Sequence, residues 1–293
     1  MAADRRAAAP KAPDPGLQRH IEQALQVSPP RDLETFARQQ LVQRVFRPQL
    51  SGLERLSEGP CLFVGNHSLF ALDAVIVATV MQLEQQRFLR ALGDRFLFHY
   101  PLTERALLSR GAIIGHPEVC RALMEAGEDL LVFPGGAHEA VKPASQRYRL
   151  QWRERFGFLR LAARQGYTIQ PFGMVGPDEF YDQLISSADL PDSPPGRLLR
   201  QLGILTPDTR RDILPPVPLG ALGSPLPKPK RCFIGFAEPL DLSRFAGRTP
   251  TPRQLEKLRD DIAGRIDGQL RELLLYREQH RSEDSLLRRI LTL

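Results

Sequence analysis

Short apolar runs alternate with amphipathic stretches through the middle of the chain. Cys61–Val64, Leu130–Phe133 and Thr168–Val175 have the length of buried strands, and polar or turn-forming residues bound each of them. Helices are predicted at Leu72–Gln85, Leu102–Ser109, Pro117–Ala126 and Gln151–Gln165, and further strands at Phe88–Leu92, Ala112–Ile114 and Arg231–Phe236. This alternation predicts an α/β fold with a mainly parallel central sheet flanked by helices.

Both ends of the chain add helical segments to this core. Leu17–Val27 and Asp32–Phe46 predict two amphipathic helices, and arginines surround the apolar side of the second. That second helix could lie on an anionic membrane or pack against the edge of the domain. Near the other end, a capping box at Thr251 predicts the start of a long helix. The apolar, basic tail from Ser285 to Leu293 suits either an interfacial anchor or a segment docked on its own domain.

These features predict four parts of the chain. We expect a disordered tail over residues 1–16, amphipathic helices over 17–50, an α/β domain over 51–250, and a C-terminal helix with an apolar basic tail over 251–293. The proline-rich stretch 191–230 lacks any helical or alternating period, which predicts an irregular insertion in the domain. It could act as a lid, face a membrane or be a plain surface insertion. Apolar runs are all too short for a transmembrane helix.

Charge and cysteine content narrow the range of partners. The formal net charge of +6 favours anionic partners such as lipid headgroups, a phosphate-bearing cofactor or nucleic acid. Nucleic acid is disfavoured, because only 7% of the residues are aromatic and the sequence contains no nucleic-acid-binding or zinc-type motif. The three cysteines form no disulfide framework, which favours a reducing compartment.

The first candidate for chemistry is a histidine and an aspartate around a strand-to-helix turn. His67 follows the strand Cys61–Val64, and Asp73 lies at the start of the next predicted helix. A histidine oriented by a carboxylate is a common general base. The alternative is a turn histidine near an aspartate that merely stabilises the helix N-terminus.

A second candidate follows the strand Leu130–Phe133. The Gly135-Gly136 pair forms a tight turn, where backbone N–H groups could approach an anion or a developing oxyanion. Downstream, seven basic residues share their span with a single acid, Glu154, and could hold phosphate groups or form a solvated helix face. They are Lys142, Arg147, Arg149, Arg153, Arg155, Arg160 and Arg164.

Together these motifs resemble the glycerolipid (lysophospholipid) acyltransferase superfamily. The similarity is greatest to the branch that contains diacylglycerol acyltransferase type two, transmembrane protein sixty-eight, phytyl ester synthases and bacterial relatives. It covers roughly residues 52–242 with the motifs in the expected order. The motifs are Asn66-His67 with Asp73, Phe133-Pro134-Gly135-Gly136 with Glu139, Tyr148-Arg149-Leu150-x-Trp152-x-x-Arg155-x-Gly157-Phe158-x-Arg160-Leu161-Ala162, and Ile169-x-Pro171 with Gly176.

The resemblance implies transfer of a fatty acyl group from an acyl thioester, acyl-CoA or acyl-carrier protein, to a lipid hydroxyl. It implies that His67 is the base, that Asp73 orients it, and that no metal or separate cofactor is needed. We further expect a peripheral enzyme on the cytoplasmic side of a membrane. The implied substrate-binding residues are Asn66, Gly111, Pro134, Gly135, Gly136, His138, Glu139, Arg149 and Arg155.

Two departures from the family pattern bear on the acceptor. Lysophosphatidate-forming members have four residues between the histidine and the aspartate, whereas five separate His67 from Asp73. Those members also carry a glutamate and an arginine where this chain has Gly135 and His138. A neutral glycerolipid or alcohol is therefore the expected acceptor, with a lysophospholipid as the other option. Two other functions stay open, namely a hydrolase of lipid or acyl-CoA esters and a non-catalytic lipid-binding protein.

Overall fold

A seven-stranded sheet forms the centre of the computed structural model, which describes residues 14–152, 154–187, 189–202 and 214–292. The strand order is β1-β9-β6-β2-β5-β3-β4, in which β9 and β1 run antiparallel to the other five strands. A separate two-stranded sheet pairs β7 with β8. The strands are β1 Gln49–Ser51, β2 Cys61–Val64, β3 Arg90–Gly93, β4 Ala112–Ile114, β5 Leu130–Val132, β6 Thr168–Val175, β7 Asp182–Ile185, β8 Val217–Leu219 and β9 Phe233–Phe236.

Helices cover both faces of the large sheet, which confirms the predicted α/β fold. Side chains alternate along β2, so that Leu62 and Val64 join one core layer while Cys61 and Phe63 join the other. The helices are α1 Pro15–Gln26, α2 Leu33–Leu41 (continued by a π-helical turn at Val42–Phe46), α3 Leu72–Glu84, α4 Pro101–Leu108, α5 Pro117–Glu125, α6 Gly136–Ala140, α7 Gly157–Gln165, α8 Pro194–Gln201, α9 Pro252–Gln279 and α10 Leu286–Leu291.

The long helix α9 packs across β6 and β9. It begins at the predicted capping box, in which the Thr251 hydroxyl accepts from the Gln254 N–H. Gly173 on β6 lets the helix approach closely, because a Cβ there would lie 3.0 Å from the Gln269 Cβ. The buried face consists of Leu255, Leu258, Ile262, Ile266, Leu270 and Leu273.

Two predicted segments differ from the structure. The helix predicted over Gln151–Gln165 starts only at Gly157, because the preceding residues form a loop that binds other parts of the site. The insertion predicted to be irregular contains the helix Pro194–Gln201, whose first turn is capped by the Ser193 hydroxyl. Residues 203–213 of that insertion lie outside the described residues.

The chain ends are helical and partly attached to the domain. α1 begins at Pro15, inside the stretch predicted as a tail, while residues 1–13 lie outside the described residues. The Arg288 guanidinium of α10 donates to the carbonyls of Val45 and Pro229, which docks this helix on the domain. Within the described residues, no helix combines the length and the apolarity that crossing a bilayer requires.

Candidate active site

Two turns meet at the carboxyl edge of the sheet. His67 follows the end of β2, and Pro134 follows the end of β5, its parallel neighbour. The Gly65 N–H donates to the Val132 carbonyl and ties the two turns together. Sites in α/β sheets form at this edge, where loops after neighbouring strands converge.

His67 and Asp73 form a direct hydrogen bond. The imidazole Nδ1 lies 2.9 Å from the Asp73 Oδ2, and the aspartate side chain is 1% exposed. The same carboxylate accepts from the backbone N–H groups of Ser68 and Ala74, at 2.6 and 2.8 Å. Because the carboxylate only accepts, Nδ1 carries the hydrogen and Nε2 is left as the basic nitrogen.

Strained backbone closes the loop between these two residues. Phe70 and Ala71 both adopt left-handed conformations, with φ of 61° and 53°. This conformation is uncommon for residues other than glycine. It brings Asp73, in the first turn of α3, back onto the His67 ring despite the five intervening residues.

The imidazole is packed against an aromatic ring and is largely buried. It stacks on Phe133 with ring centroids 4.4 Å apart, and the His67 side chain is 13% exposed. Burial lowers the pKa of His67, but the charge and hydrogen bond of Asp73 outweigh burial, so that the pKa lies above its ordinary value. The ring therefore has the affinity for a proton that a general base requires.

The backbone of His67 is held on both sides by buried charged groups. Its N–H donates to the Glu139 Oε1 at 2.7 Å, and its carbonyl accepts from the Lys142 Nζ at 2.5 Å. Lys142 also pairs with Asp178 at 2.8 Å, and both side chains are 3% exposed. Sequence reasoning missed this pair, because Asp178 lies 36 residues further along the chain and carries no motif signal.

Glu139 fills the space beside Gly135. A Cβ on Gly135 would lie 2.1 Å from the Glu139 Oε2, so a larger residue at position 135 would collide with the carboxylate. This carboxylate is fully buried and also accepts from the Gln151 N–H at 2.8 Å. Burial raises the pKa of Glu139 despite the opposing effects of Lys142 and the two N–H groups.

Arg155 holds the glycine turn from the outside. Its guanidinium donates to the carbonyls of Pro134 and Gly135, at 3.2 and 2.7 Å. The Gly136 N–H donates to the Phe133 carbonyl, so this N–H is already used inside the turn. The Gly136 N–H is therefore not available to an anion, and Arg155 lies against the turn.

Only some of the other predicted site residues lie near His67. Asn66 is buried, and its amide exchanges two hydrogen bonds with the Met174 backbone, so it anchors the turn to β6. His138 lies half-buried on α6, and Arg149 is exposed. Gly111 precedes β4 and therefore lies at the opposite edge of the sheet from His67, away from the site.

The basic stretch after the glycine turn does not form one phosphate site. Lys142 and Arg147 pair with Asp178 and Asp182, and Arg155 binds backbone carbonyls. Arg160 and Arg164 are exposed on α7. Among the residues that the structure describes, no cluster of histidine, cysteine and acidic side chains is suited to a metal ion.

Comparison with known proteins identifies the domain. Residues 47–175 match the family model Acyltransferase. Phytyl ester synthase 2 from Arabidopsis thaliana is 30% identical over 45% of this chain and 20% of its own length. An uncharacterized protein of Mycobacterium leprae is 30% identical over 78% of this chain and 60% of its own. A Bos taurus protein named DGAT1/2-independent enzyme synthesizing storage lipids is 29% identical over 42% of this chain and 37% of its own.

Residues 47–175 are therefore a domain of the acyltransferase family, and the superfamily resemblance seen in the motifs is confirmed. The chain spans between 20% and 60% of the length of these three relatives. The shared part contains both turns of the site, because it reaches from the residues before β2 to the end of β6.

Proposed function

We propose that this protein is an O-acyltransferase that moves a fatty acyl group from an acyl thioester to a lipid hydroxyl. The observation that carries the proposal is the hydrogen-bonded His67–Asp73 pair at the carboxyl edge of an acyltransferase-family domain. The donor would be acyl-CoA or acyl-carrier protein.

In this mechanism His67 acts as general base without a covalent acyl-enzyme. The Nε2 nitrogen removes the proton of the acceptor hydroxyl while the oxygen attacks the thioester carbonyl. The tetrahedral intermediate collapses, the carbon–sulfur bond breaks, and the thiolate takes the proton from the imidazolium. The products are an ester and a free thiol. Asp73 holds the ring in the correct tautomer and stabilises the imidazolium.

A neutral acceptor fits the glycine turn best. Glu139 uses both oxygens on the backbone of His67 and Gln151, and it occupies the space beside Gly135. The Glu139 carboxylate is thus committed to the protein backbone and is not available to an acceptor. The Arg155 Nη1 donates to two carbonyls of the turn. The names of the plant and bovine relatives, a phytyl ester synthase and an enzyme of storage lipids, support the same choice.

A peripheral position on a membrane is supported by exposed apolar side chains on α2. Leu33, Phe36 and Leu41 are 80%, 57% and 54% exposed. The domain does not cover this side of the helix, and arginines flank it. An apolar stripe with flanking basic residues is typical of a helix that lies in a membrane interface.

Replacement of the base tests the proposal. His67→Ala should reduce transfer from acyl-CoA to a diacylglycerol or long-chain alcohol by roughly a hundredfold to ten-thousandfold, because it removes general-base catalysis. Esters would be quantified by lipid mass spectrometry. His99→Ala, which alters an exposed histidine outside the site, should retain activity.

Two outcomes would contradict the proposal. Full transfer activity in the His67→Ala variant would remove the base from the mechanism. Release of free fatty acid from acyl-CoA, with no ester formed in the presence of any lipid alcohol, would instead identify a hydrolase that uses the same base on water.

A further inference from the structure

A cavity of about 430 Å³ lies between α9, α10 and the strands β6 and β9. Gly176, which follows β6, and Phe233, the first residue of β9, are among the residues that line it. Since β6 is the parallel neighbour of β2, the cavity opens at the same edge of the sheet as His67. Loops at this edge are where ligands of α/β folds bind.

The cavity wall carries an excess of positive charge. Six cationic side chains face three acidic ones, Glu179, Glu278 and Asp284. Burial, together with nearby Arg47 and Arg231, lowers the pKa of Arg288 although Asp284 lies beside it. We call this cavity the arginine cavity. Its cationic side chains are Lys230, Arg231, Arg277, Arg281, Arg288 and Arg289.

Two of these arginines retain free donors. Lys230 and Arg277 pair with Glu179, whereas Arg231 pairs with Asp284 and with Glu283 outside the cavity. The Arg281 Nη1 lies 3.7 Å from Glu278, which is too far for a hydrogen bond. Arg289 makes no ion pair with any residue in the described part of the chain.

We propose that the arginine cavity binds a phosphate group, carried either by the acyl donor or by an anionic lipid headgroup. Guanidinium groups pair with phosphate oxygens in a bidentate manner. Arg281 and Arg289 are exposed, so their donors are accessible to a ligand that enters the cavity from solvent. The donor alternative rests on the proposed acyl transfer, whereas the headgroup alternative does not.

Hydrogen bonds connect this cavity to the candidate base. Glu179, which pairs with Arg277 in the cavity, accepts from the Tyr148 hydroxyl at 2.6 Å. The Tyr148 N–H donates to Asp178 at 2.6 Å, and Asp178 pairs with the lysine that binds the His67 carbonyl. A ligand in the arginine cavity thus contacts a network that ends on the backbone of the base.

The test compares two double variants of the full chain. Arg281→Gln/Arg289→Gln removes the free donors, and Arg248→Gln/Arg253→Gln removes two exposed charges elsewhere. Calorimetric titration with coenzyme A and with inorganic phosphate, and flotation with phosphatidylglycerol vesicles, would be measured for both. Loss of two charge-assisted hydrogen bonds should weaken phosphate-ligand binding roughly tenfold or more in the first variant only.

The pattern of losses identifies the source of the phosphate. Weaker coenzyme A binding supports the donor, and weaker vesicle binding with unchanged coenzyme A binding supports the headgroup. Equal losses in both double variants, unchanged binding in the first, or a loss confined to inorganic phosphate would overturn the proposal. His67→Ala should leave binding intact, so this test is independent of whether acyl transfer occurs.

Discussion

At the scale of single residues, the ionisation of His67 depends on four surrounding influences. Burial and the Lys142 charge lower its pKa, while Asp73 and Glu139 raise it, and the net effect is a raised pKa. Only the neutral imidazole accepts a proton from a hydroxyl. The activity of the proposed enzyme should therefore rise with pH through this raised pKa and fall away below it.

Asp73→Asn tests two effects of the Asp73 carboxylate on His67, namely its negative charge and its control of the imidazole tautomer. The substitution removes the ion pair that favours the imidazolium, so the pKa of His67 should fall and the acid limb of kcat/KM should move to lower pH. The rate at the plateau should drop by roughly a hundredfold or more, because the imidazole loses the tautomer set by the carboxylate. A pH–rate profile measures both effects. An acid limb that stays in place would mean that another group controls it.

Short sequence motifs identified the residues of the candidate site better than the residues that hold them in place. His67, Asp73 and Gly135 lie in short motifs, and the structure places all three at one edge of the sheet. Lys142 was grouped with its basic neighbours, because the acid that neutralises it lies on a distant loop. Long-range partners of this kind have no period or spacing that a sequence pattern can reveal.

At the scale of elements, the loop between β2 and α3 contains two residues in an unfavourable backbone conformation. Two successive left-handed residues cost about 1–2 kcal/mol each for residues that carry a Cβ. The hydrogen bonds that Asp73 makes to His67 and Ser68 offset this cost. The extra residue between base and carboxylate is therefore accommodated by strain in the loop.

Ala71→Gly should relieve part of this strain. We expect the free energy of unfolding to rise by up to about 1 kcal/mol, because glycine adopts positive φ without steric cost. The matched control is Ala78→Gly inside α3, which should lower the free energy of unfolding by about 1 kcal/mol. Urea unfolding followed by circular dichroism measures both changes. A lower stability for both variants would show that the loop is unstrained at Ala71.

Elements were predictable where a single pattern dominated. The strand Thr168–Val175 and the start of α3 at Leu72 match the predicted bounds, because long apolar runs define them. The start of α7 was misplaced, because the loop before it bonds to Glu139 and to the glycine turn. Tertiary hydrogen bonds there override a helical pattern.

At the scale of the whole molecule, a hydrogen bond connects the helical segments at the two ends of the chain. Arg288 on α10 donates to the Val45 carbonyl, at the end of the π-helical turn that continues α2. α10 itself exposes Leu286, Leu287 and Ile290. Helices distant in sequence are thus in contact, which sequence periodicity alone leaves as separate amphipathic segments.

Leu33→Asp/Phe36→Asp should weaken binding to phosphatidylglycerol vesicles by tenfold or more. Each substitution removes an apolar side chain whose burial in the interface would contribute about 1.5–3 kcal/mol. The control is Leu102→Asp on α4, which changes a leucine that is 85% exposed on a different helix. Vesicle co-sedimentation measures the affinity. An equal effect of both changes would show that α2 has no special role.

The contact between Gly135 and Glu139 also limits the routes by which the site can change. A glutamate introduced at position 135 alone meets the Glu139 carboxylate, and loss of Glu139 alone leaves the N–H groups of His67 and Gln151 without acceptors. Either single substitution should lower the stability of the fold. The first creates a collision between two carboxylates, and in the second each buried N–H without an acceptor costs about 1–3 kcal/mol of stability. The two residues are therefore epistatic, and a side chain is accommodated at position 135 at low cost only when Glu139 changes as well.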